Sequence, residues 1–395
     1  MDSLWHDLRP AQWPPLAADQ EVDGVVVGGG LAGVSAALAL ASHGQRVALV
    51  EGGRLGQGAS GRNAGFLLGG AADDFLTLAA ARGRAVAEMM AKLAEENRRL
   101  VKTALGEAEG GSALEGVGSF ALAVDRAEAE HLVRLGESLR ELGYGAVPAE
   151  PEMAGPTLRQ AGYLGGLFFP ADGQLHPLRL LYALAAAAER LGASIYEATP
   201  VAAVSSDGKG VTVKTGRATV RAGVCILAVN ADLARLFPPA GAWIRPARAQ
   251  MLASRPLPRP VLNAPVYAGH GFRYFRQCAD GRLLIGGFRN LAVEAETSWG
   301  LELNPLLQDR MERELALLAP DAEVERRWAG IMAFTPDHLP VVGALGPHLW
   351  SVGGFSGHGL ALAPLLGRQV AEMALGRRRP YPALSPQRFA GDLEP

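Results

Sequence analysis

Three glycines at a fixed spacing are the first residues in this chain whose types and positions could carry chemistry. Gly28, Gly30 and Gly33 form the pattern Gly-x-Gly-x-x-Gly. An apolar run, 22–27, precedes them, and an Ala- and Leu-rich stretch, 31–43, follows them. In such a strand–turn–helix unit the glycines permit a tight turn, the approach of a pyrophosphate and close helix packing, while the helix N-terminus attracts phosphate. The predicted phosphate contacts are Gly28, Gly30, Leu31, Ala32 and Gly33.

A single acidic residue completes this pattern. Glu51 follows the predicted strand 46–50, so the chain from 22 to 51 reads as one βαβ unit. A carboxylate at this distance accepts hydrogen bonds from ribose hydroxyls and repels the ribose phosphate of NADP. The unit predicts a bound dinucleotide, and by itself it leaves both FAD and NAD open.

Size, charge and cysteine content limit the remaining possibilities. The 395 residues suffice for two domains, and the net charge of −2 gives no electrostatic reason to expect a nucleic-acid partner. Cys225 and Cys278 are too few for a disulfide framework or a cysteine metal site, so we expect no metal centre. We recognise no secretory signal and no apolar run long enough to span a bilayer, and therefore expect a cytoplasmic protein without a transmembrane segment.

Periodicity and turn signals predict the elements that position the βαβ unit. The further predicted strands are 119–124, 194–197, 201–205, 211–214, 218–222, 224–229, 267–275 and 282–288. The further predicted helices are 73–105, 126–142, 178–191 and 360–375. We expect the four strands between 194 and 222 to form a small antiparallel set, and the last two strands to form a hairpin around Asp280-Gly281.

The segment after the βαβ unit resembles a known family. Residues 56–66 read GQGASGRNAGF, which is similar to the segment after the second strand in the glycine oxidase/D-amino-acid oxidase family of flavoenzymes, and especially in its gamma-glutamylputrescine oxidase branch. In that family the segment lines the pyrophosphate and the flavin ring, so the resemblance implies FAD. The cofactor contacts that it implies are Gly58, Ala59, Ser60, Arg62, Asn63, Gly65, Phe66 and, later in the chain, Val201.

A second resemblance to this family lies near the C-terminus. The late motif reads WAGIMAFTPDHLPVVG at 328–343, and the closing flavin loop ends in GGFSGHG at 353–359. The helix predicted from Leu360 would direct its positive end to the flavin edge where reduced flavin carries negative charge. The further implied cofactor contacts are Gly330, Gly354, Phe355, Ser356, Gly357, Gly359 and Leu360.

The resemblance implies an α/β fold with two discontinuous domains. A Rossmann-like FAD-binding domain of the glutathione-reductase/p-hydroxybenzoate-hydroxylase type would use 1–85, 160–235 and 325–395. An α+β substrate-binding domain built on an antiparallel sheet would use 86–159 and 236–324.

The sequence departs from the family at two positions of the late motif. Amino-acid oxidases of the family typically carry an arginine where this chain has Met332, and methionine cannot pair with a substrate carboxylate. Either the substrate has no carboxylate at that place, or another arginine binds it; the candidates near the predicted sheet are Arg273, Arg276 and Arg289. Relatives that tether flavin through a cysteine carry it near Gly330, so we expect noncovalent FAD.

His358, in the closing loop, is the candidate catalytic side chain, and a purely structural hydrogen bond to the loop is the alternative. The resemblance implies oxidation of the C–N bond of a small-molecule amine or amino-acid derivative to an imine, which water converts to an aldehyde or keto acid. Oxygen or a quinone would reoxidise the flavin. The alternatives left open are an amino-acid oxidase or dehydrogenase of the glycine or D-amino-acid type, an NAD-dependent dehydrogenase or another dehydrogenase, using NAD or FAD, that does not act on amines, and a non-enzymatic flavin-binding protein.

Overall fold

The computed structural model of the chain describes residues 2–8, 12–107 and 114–392. The strands are β1 (Gln20–Val27), β2 (Val47–Val50), β3 (Phe66–Leu67), β4 (Leu114–Glu115), β5 (Ser119–Leu122), β6 (Val147–Ala149), β7 (Gly166–Phe169), β8 (Gly173–Leu175), β9 (Ser194–Tyr196), β10 (Val201–Asp207), β11 (Gly210–Thr215), β12 (Thr219–Leu227), β13 (Arg245–Ser254), β14 (Val266–Ala268), β15 (Arg273–Gln277), β16 (Leu283–Gly287), β17 (Val324–Phe334), β18 (Val341–Gly346) and β19 (Leu349–Gly353). The helices are α1 (Leu31–Ser42), α2 (Phe75–Arg82), α3 (Arg84–Glu107), α4 (Arg126–Glu141), α5 (Pro151–Ala154), α6 (Pro177–Arg190), α7 (Leu233–Leu236), α8 (Val293–Glu296), α9 (Pro305–Leu318) and α10 (Gly359–Ala374).

The predicted βαβ unit forms the centre of the first sheet. β1 pairs in parallel with β2 on one side and with β12 on the other, and all residues of β2 are buried. α1 is apolar on nearly every face because it packs on these strands and against α6 and α10. The strand order is β10-β11-β12-β1-β2-β9, with β19 beside β12 and β18 beside β19. This arrangement confirms the Rossmann-like fold.

Two predicted strand assignments in the first sheet are wrong. β9 pairs in parallel with β2, so it does not belong to the antiparallel set. The segments 218–222 and 224–229 are one strand, β12, whose first half runs antiparallel to β11 and whose second half lies parallel to β19. In the first half of β12 buried and more exposed residues alternate, whereas all residues of its last part are buried. This change of pattern within one strand is the reason that the sequence suggested two.

The single helix predicted over 73–105 is two helices. α2 begins after Asp74, whose carboxylate accepts two backbone hydrogen bonds as the N-cap. It ends at Gly83, where φ is +88°, a conformation that glycine adopts without steric cost. α3 then begins at Arg84 and packs against α6 and α10.

The second sheet has the order β17-β13-β16-β15-β14-β5-β7-β6. Its described strand pairs are antiparallel except for β14 and β5. The hairpin predicted around Asp280-Gly281 is confirmed as β15–β16. The predicted strand 267–275 is instead β14 and β15, because the chain reverses at 269–271, where all three φ angles are positive. β13 and β17, which periodicity does not reveal, form the longest pair of this sheet.

The two large sheets share a hydrophobic core. Met251, Leu284 and Trp328 of the second sheet belong to the same buried cluster as the apolar residues of α1 and α10. A small third sheet has the order β3-β8-β4. Its strands occur in the sequence where the chain passes from one large sheet to the other. The division into domains stays a prediction, and sheet membership would assign β7 and β17 to the substrate-binding part. None of the described helices is both long enough and apolar enough to span a membrane.

Candidate active site

The N-terminus of α1 has the local geometry that phosphate binding requires. Gly28 has a φ of +108°, and a Cβ atom on Gly33 would collide with the carbonyl oxygen of Gly28. Both positions therefore require glycine, as predicted for the turn and for close helix packing. The N–H of Leu31 donates to Oγ of Ser60 at 3.0 Å, which joins the first glycine segment to the second.

Glu51 lies against the same turn. Its Oε2 accepts the N–H of Gly29 at 2.6 Å, and its Oε1 accepts the N–H of Gly53 at 2.7 Å. Burial raises the pKa of this carboxyl, although the two N–H donors oppose the shift. Each oxygen has further acceptor capacity, so the two ribose hydroxyls of a nucleotide have a preformed partner. Val201 begins β10, two residues after Thr199, whose N–H donates to the carbonyl of Glu51.

The segment 58–66 is held by side chains from three other parts of the chain, none of which sequence reasoning singled out for this purpose. Each donates to a backbone carbonyl of the segment: Trp5 Nε1 to Asn63 at 2.6 Å, Trp328 Nε1 to Arg62 at 3.0 Å, and Arg276 Nη1 to Gly65 at 3.0 Å. Indole and guanidinium groups suit buried carbonyls because they donate without needing to accept. Their sequence signal is weak, since the donors come from distant positions.

Two side chains that we predicted to contact the cofactor also shape this segment. Arg62 is buried and donates from Nε to the carbonyl of Gln57 and from Nη1 to that of Ala329. The Asn63 amide donates to the carbonyl of Ser60 and accepts the N–H of Gly65, both at 2.8 Å. These bonds give both side chains a structural role, and a direct contact with the cofactor stays a prediction.

The closing loop lies next to β17 and β12. The N–H of Gly354 donates to Oδ1 of Asn230 at 3.1 Å, and the N–H of Ser356 donates to the carbonyl of Ala333 at 2.8 Å. α10 starts at Gly359, one residue before the predicted start. Its positive N-terminal end therefore lies at the end of this loop, and the predicted approach of that end to the flavin edge stays a prediction.

A buried asparagine that sequence reasoning missed supports α10. Pro364 lies inside this helix and cannot donate a backbone hydrogen bond to Leu360. Asn97 of α3 replaces that bond: its Nδ2 donates to the carbonyl of Leu360 at 3.1 Å, and its Oδ1 accepts the N–H of Leu365 at 3.0 Å. The side chain thus satisfies the backbone around the proline and fixes the first turns of α10 on α3.

His358 lies at the junction of the closing loop and the second sheet. Its ring meets the ring of Tyr267 edge to face, with 5.9 Å between the ring centroids. Burial lowers the pKa of His358 to about 4, so the imidazole is neutral at pH 7. Its Nδ1 is buried and has no partner at full hydrogen-bond geometry within the described part of the chain, and a backbone interaction with Ser356 only partly opposes the fall of the pKa. A buried polar atom of this kind fits a site whose partner is a bound group.

The residues opposite the closing loop come from one face of β17. Trp328, Gly330, Met332 and Phe334 alternate along the strand and share that face. A Cβ atom on Gly330 would lie 2.9 Å from Cβ of Arg62, and one on Gly357 would lie 3.5 Å from Sδ of Met332. The face therefore runs from the segment 58–66, past the closing loop, to Phe334.

The three candidate arginines lie in different surroundings. Arg276 is buried, and its Nη1 donates to the carbonyls of Gly65 and Leu175, so it supports the backbone. Arg273 alternates with Tyr274 on β15 and lies over the ring of Phe288, on the face away from Tyr274. This placement removes Arg273 from the predicted substrate contacts.

Arg289 is the candidate that reaches the face of β17 described above. Its guanidinium lies 4.7 Å from the ring centroid of Phe334 and 5.4 Å from that of Phe272. Tyr267 and Tyr274 stack with 6.4 Å between their centroids and interact electrostatically with Arg289. Both tyrosines lie in the single predicted strand 267–275, and only the pairing of β14 with β15 shows that they share one face.

Comparison with known proteins identifies the family. The family model described as FAD dependent oxidoreductase, DAO, matches residues 23–373. The chain belongs to this family. FAD is therefore its cofactor, the fold and cofactor predictions are confirmed, and the alternative of an NAD-dependent dehydrogenase is wrong.

Individual relatives agree with this assignment over most of their length. The glycine oxidase of Geobacillus kaustophilus is 33% identical, covering 89% of this chain and 92% of the relative. A probable oxidoreductase OrdL of Haemophilus influenzae is 30% identical over 92% of this chain and 85% of its own. The gamma-glutamylputrescine oxidoreductase of Escherichia coli is 27% identical over 92% of this chain and 86% of the relative. The crystal structure of the Geobacillus glycine oxidase superimposes with a TM-score of 0.80 at 26% identity, covering 93% of this chain and 98% of that chain.

Proposed function

We propose that this flavoenzyme oxidises the C–N bond of a small amine or amino-acid derivative to an imine, which water then hydrolyses to an aldehyde or keto acid. The observation that carries the proposal is the mostly aromatic chamber between β17, the β14–β15 pair and the closing loop, with His358 at its junction. The names of the relatives, glycine oxidase and gamma-glutamylputrescine oxidoreductase, support an amine nitrogen as the reacting group.

The residues present fit FAD. Backbone N–H groups at the N-terminus of α1 would hold the pyrophosphate, Glu51 the ribose, and the segments 58–66 and 353–359 the flavin ring. A Cβ atom on Gly58 would meet no atom within 4 Å, so the backbone of this segment is open to a ligand on that side. When bound, FAD supplies the acceptor for a hydride from the carbon next to nitrogen.

The chain's own residues would prepare the amine. A chamber with low polarity favours the uncharged amine over the ammonium ion, so the reaction needs no carboxylate base from the protein. Burial raises the pKa of Tyr267 to about 12, which keeps its hydroxyl protonated and able to donate. His358, neutral for the same reason of burial, offers its unpaired Nδ1 either to the amine or to the cofactor. We therefore keep His358 as the catalytic candidate and Met332 as an apolar substrate contact.

The other expectations continue as parts of this proposal. FAD would be held without a covalent bond, oxygen or a quinone would accept the electrons, and the enzyme would act in the cytoplasm without nucleic-acid partners. The decisive experiment is to mix the purified yellow protein anaerobically with a panel of amines and amino acids and to follow the flavin absorption. We expect at least one amine to bleach the flavin and to yield an aldehyde or keto acid. A flavin that sodium dithionite reduces but no member of a broad amine panel reduces would contradict the proposal.

A further inference from the structure

Arg289 combines three properties that single it out from the other described arginines. It is half-buried, it lies between the rings of Phe272 and Phe334, and it has no carboxylate or hydrogen-bond partner among the described residues. Burial lowers the pKa of its guanidinium. An arginine that is partly removed from water without an anion is unfavourable unless a ligand supplies one.

The acidic groups around Arg289 already have other partners. Glu296, which attracts it electrostatically, is fully buried and pairs with Arg248 at 2.8 Å. Asp73 pairs with Nδ1 of His338 at 3.0 Å. His338 in turn lies edge to face against Phe334, so a second group that can carry positive charge flanks the same ring. The local charge balance therefore leaves room for one anion.

The position of Arg289 along β17 sets the length of a fitting ligand. Its contact residue, Phe334, lies two residues beyond Met332 on the same face of the strand. A strand advances about 3.3 Å per residue, so the cation lies roughly 7 Å farther along the strand than the Met332 position. The side chains described between His358 and Arg289 are Tyr267, Tyr274 and Met332, which suit methylene groups and carry no positive charge.

We propose that Arg289 binds a carboxylate that several methylene groups separate from the C–N bond that is oxidised. The proposal rests on the proposed function and specifies its substrate class: an ω-amino acid or its N-alkyl derivative, and not an α-amino acid. The planar guanidinium can bind the carboxylate through two parallel hydrogen bonds, while the two phenylalanine rings hold its plane.

The test compares three amines of similar size: 5-aminopentanoate, pentylamine and norvaline. In 5-aminopentanoate the carboxylate is far from the amine, in norvaline it is on the carbon that bears the amine, and pentylamine has no carboxylate. Arg289→Met keeps the apolar stem and removes the charge, whereas Arg289→Lys keeps the charge and removes the planar fork. Arg273→Met is the matched control, because Arg273 also lies over an aromatic ring, at 5.6 Å, but on the other face of β15.

We expect the wild-type enzyme to prefer 5-aminopentanoate, and Arg289→Met to raise its KM about tenfold or more, the range for lost hydrogen bonds to a charged group. The KM of Arg289→Met for pentylamine should stay within about twofold of the wild-type value. The KM of Arg289→Lys for 5-aminopentanoate should lie between those of wild type and Arg289→Met, and that of Arg273→Met should equal the wild-type value. An equal loss for pentylamine in Arg289→Met, or a wild-type preference for norvaline, would overturn the proposal.

A binding measurement separates this proposal from the proposed function. Pentanoate cannot be oxidised at a C–N bond, and its binding is followed by the change in the flavin spectrum. We expect Arg289→Met to raise its Kd about tenfold or more, and Arg273→Met to leave it unchanged. If no amine reduces the flavin, the proposed function fails while the pentanoate titration still decides the role of Arg289. An unchanged Kd in Arg289→Met would refute it.

Discussion

Oε2 of Glu51 accepts a hydrogen bond from the backbone N–H of Gly29 at 2.6 Å. The contact ties the acid at the end of β2 to the middle of the glycine turn after β1. A second hydrogen bond, from the N–H of Gly53, holds the other carboxylate oxygen. The carboxylate is thus positioned before any ligand arrives, so little conformational entropy is lost when ribose binds.

We expect Glu51→Ala to weaken FAD binding by about 1.5–3 kcal/mol, because the change removes a charged acceptor and leaves the N–H groups of Gly29 and Gly53 without this partner. Glu51→Gln retains one acceptor and should lose less. The measurement is the Kd of FAD for the apoprotein, from quenching of flavin fluorescence. Glu21→Ala, at an exposed position of β1, is the control and should bind FAD like wild type. Equal affinities for Glu51→Ala and wild type would argue against a ribose contact.

We expect the flavin to be released when the protein is precipitated with acid. The family resemblance puts the tethering cysteine of other flavoenzymes near Gly330, which packs against Arg62 so closely that a Cβ atom would lie 2.9 Å from Cβ of Arg62. Cys225 is fully buried within β12, where a thiol has no access to a ligand. The measurement is flavin absorbance in the supernatant and in the washed pellet. Yellow colour that remains in the pellet after protease digestion would show a covalent bond.

The ion pair between His338 and Asp73 should make stability depend on pH. The hydrogen bond that Nδ1 of His338 donates to the carboxylate of Asp73 raises the pKa of His338 above its usual value of about 6.5. A histidine whose folded-state pKa is raised stabilises the fold in full below the unfolded-state pKa, and this contribution disappears as the pH rises through the folded-state pKa. The Tm difference between wild type and His338→Asn should therefore be largest near pH 5.5 and decline as the pH increases.

Asparagine is the suitable replacement because His338 has a φ of +57°, which asparagine tolerates. His348→Asn is a matched control: His348 also has a positive φ, 59°, and has no ion pair within the described residues. Its Tm difference from wild type should not follow the pH profile of His338→Asn. A Tm difference for His338→Asn that grows with pH would contradict the assigned sign.

We expect Asn97→Ala to lower the free energy of unfolding by about 1–3 kcal/mol, because the backbone groups of Leu360 and Leu365 would be buried without partners. Denaturant titration of the FAD-loaded protein measures the loss. Asn290→Ala, at an exposed position, should leave the stability unchanged within about 0.5 kcal/mol. If Asn97→Ala were as stable as Asn290→Ala, water would have to reach α10 and replace the amide.

Local sequence pattern was sufficient for the nucleotide-binding half of the site. The requirements there are backbone requirements: a positive φ at Gly28, close packing at Gly33, and an acid one residue after a buried strand. Each depends on neighbours within a few residues, so the spacing alone predicts it. The same holds for the β15–β16 hairpin, which Asp280-Gly281 determines locally. The break between α2 and α3 was missed because helix-forming composition continues on both sides of Gly83.

By itself, the sequence determined the βαβ unit, the FAD family and the absence of an arginine at Met332. Only the tertiary structure shows that, of the three candidate arginines, Arg289 contacts the face of β17 that carries Met332. Arg273, Arg276 and Arg289 lie within seventeen residues, counted from 273 to 289, but pleating and strand pairing direct them to different surroundings. Likewise, Trp5, Trp328 and Asn97 act on backbone groups that are far from them in sequence. Such contacts depend on how distant elements pack, and no local periodicity encodes that packing.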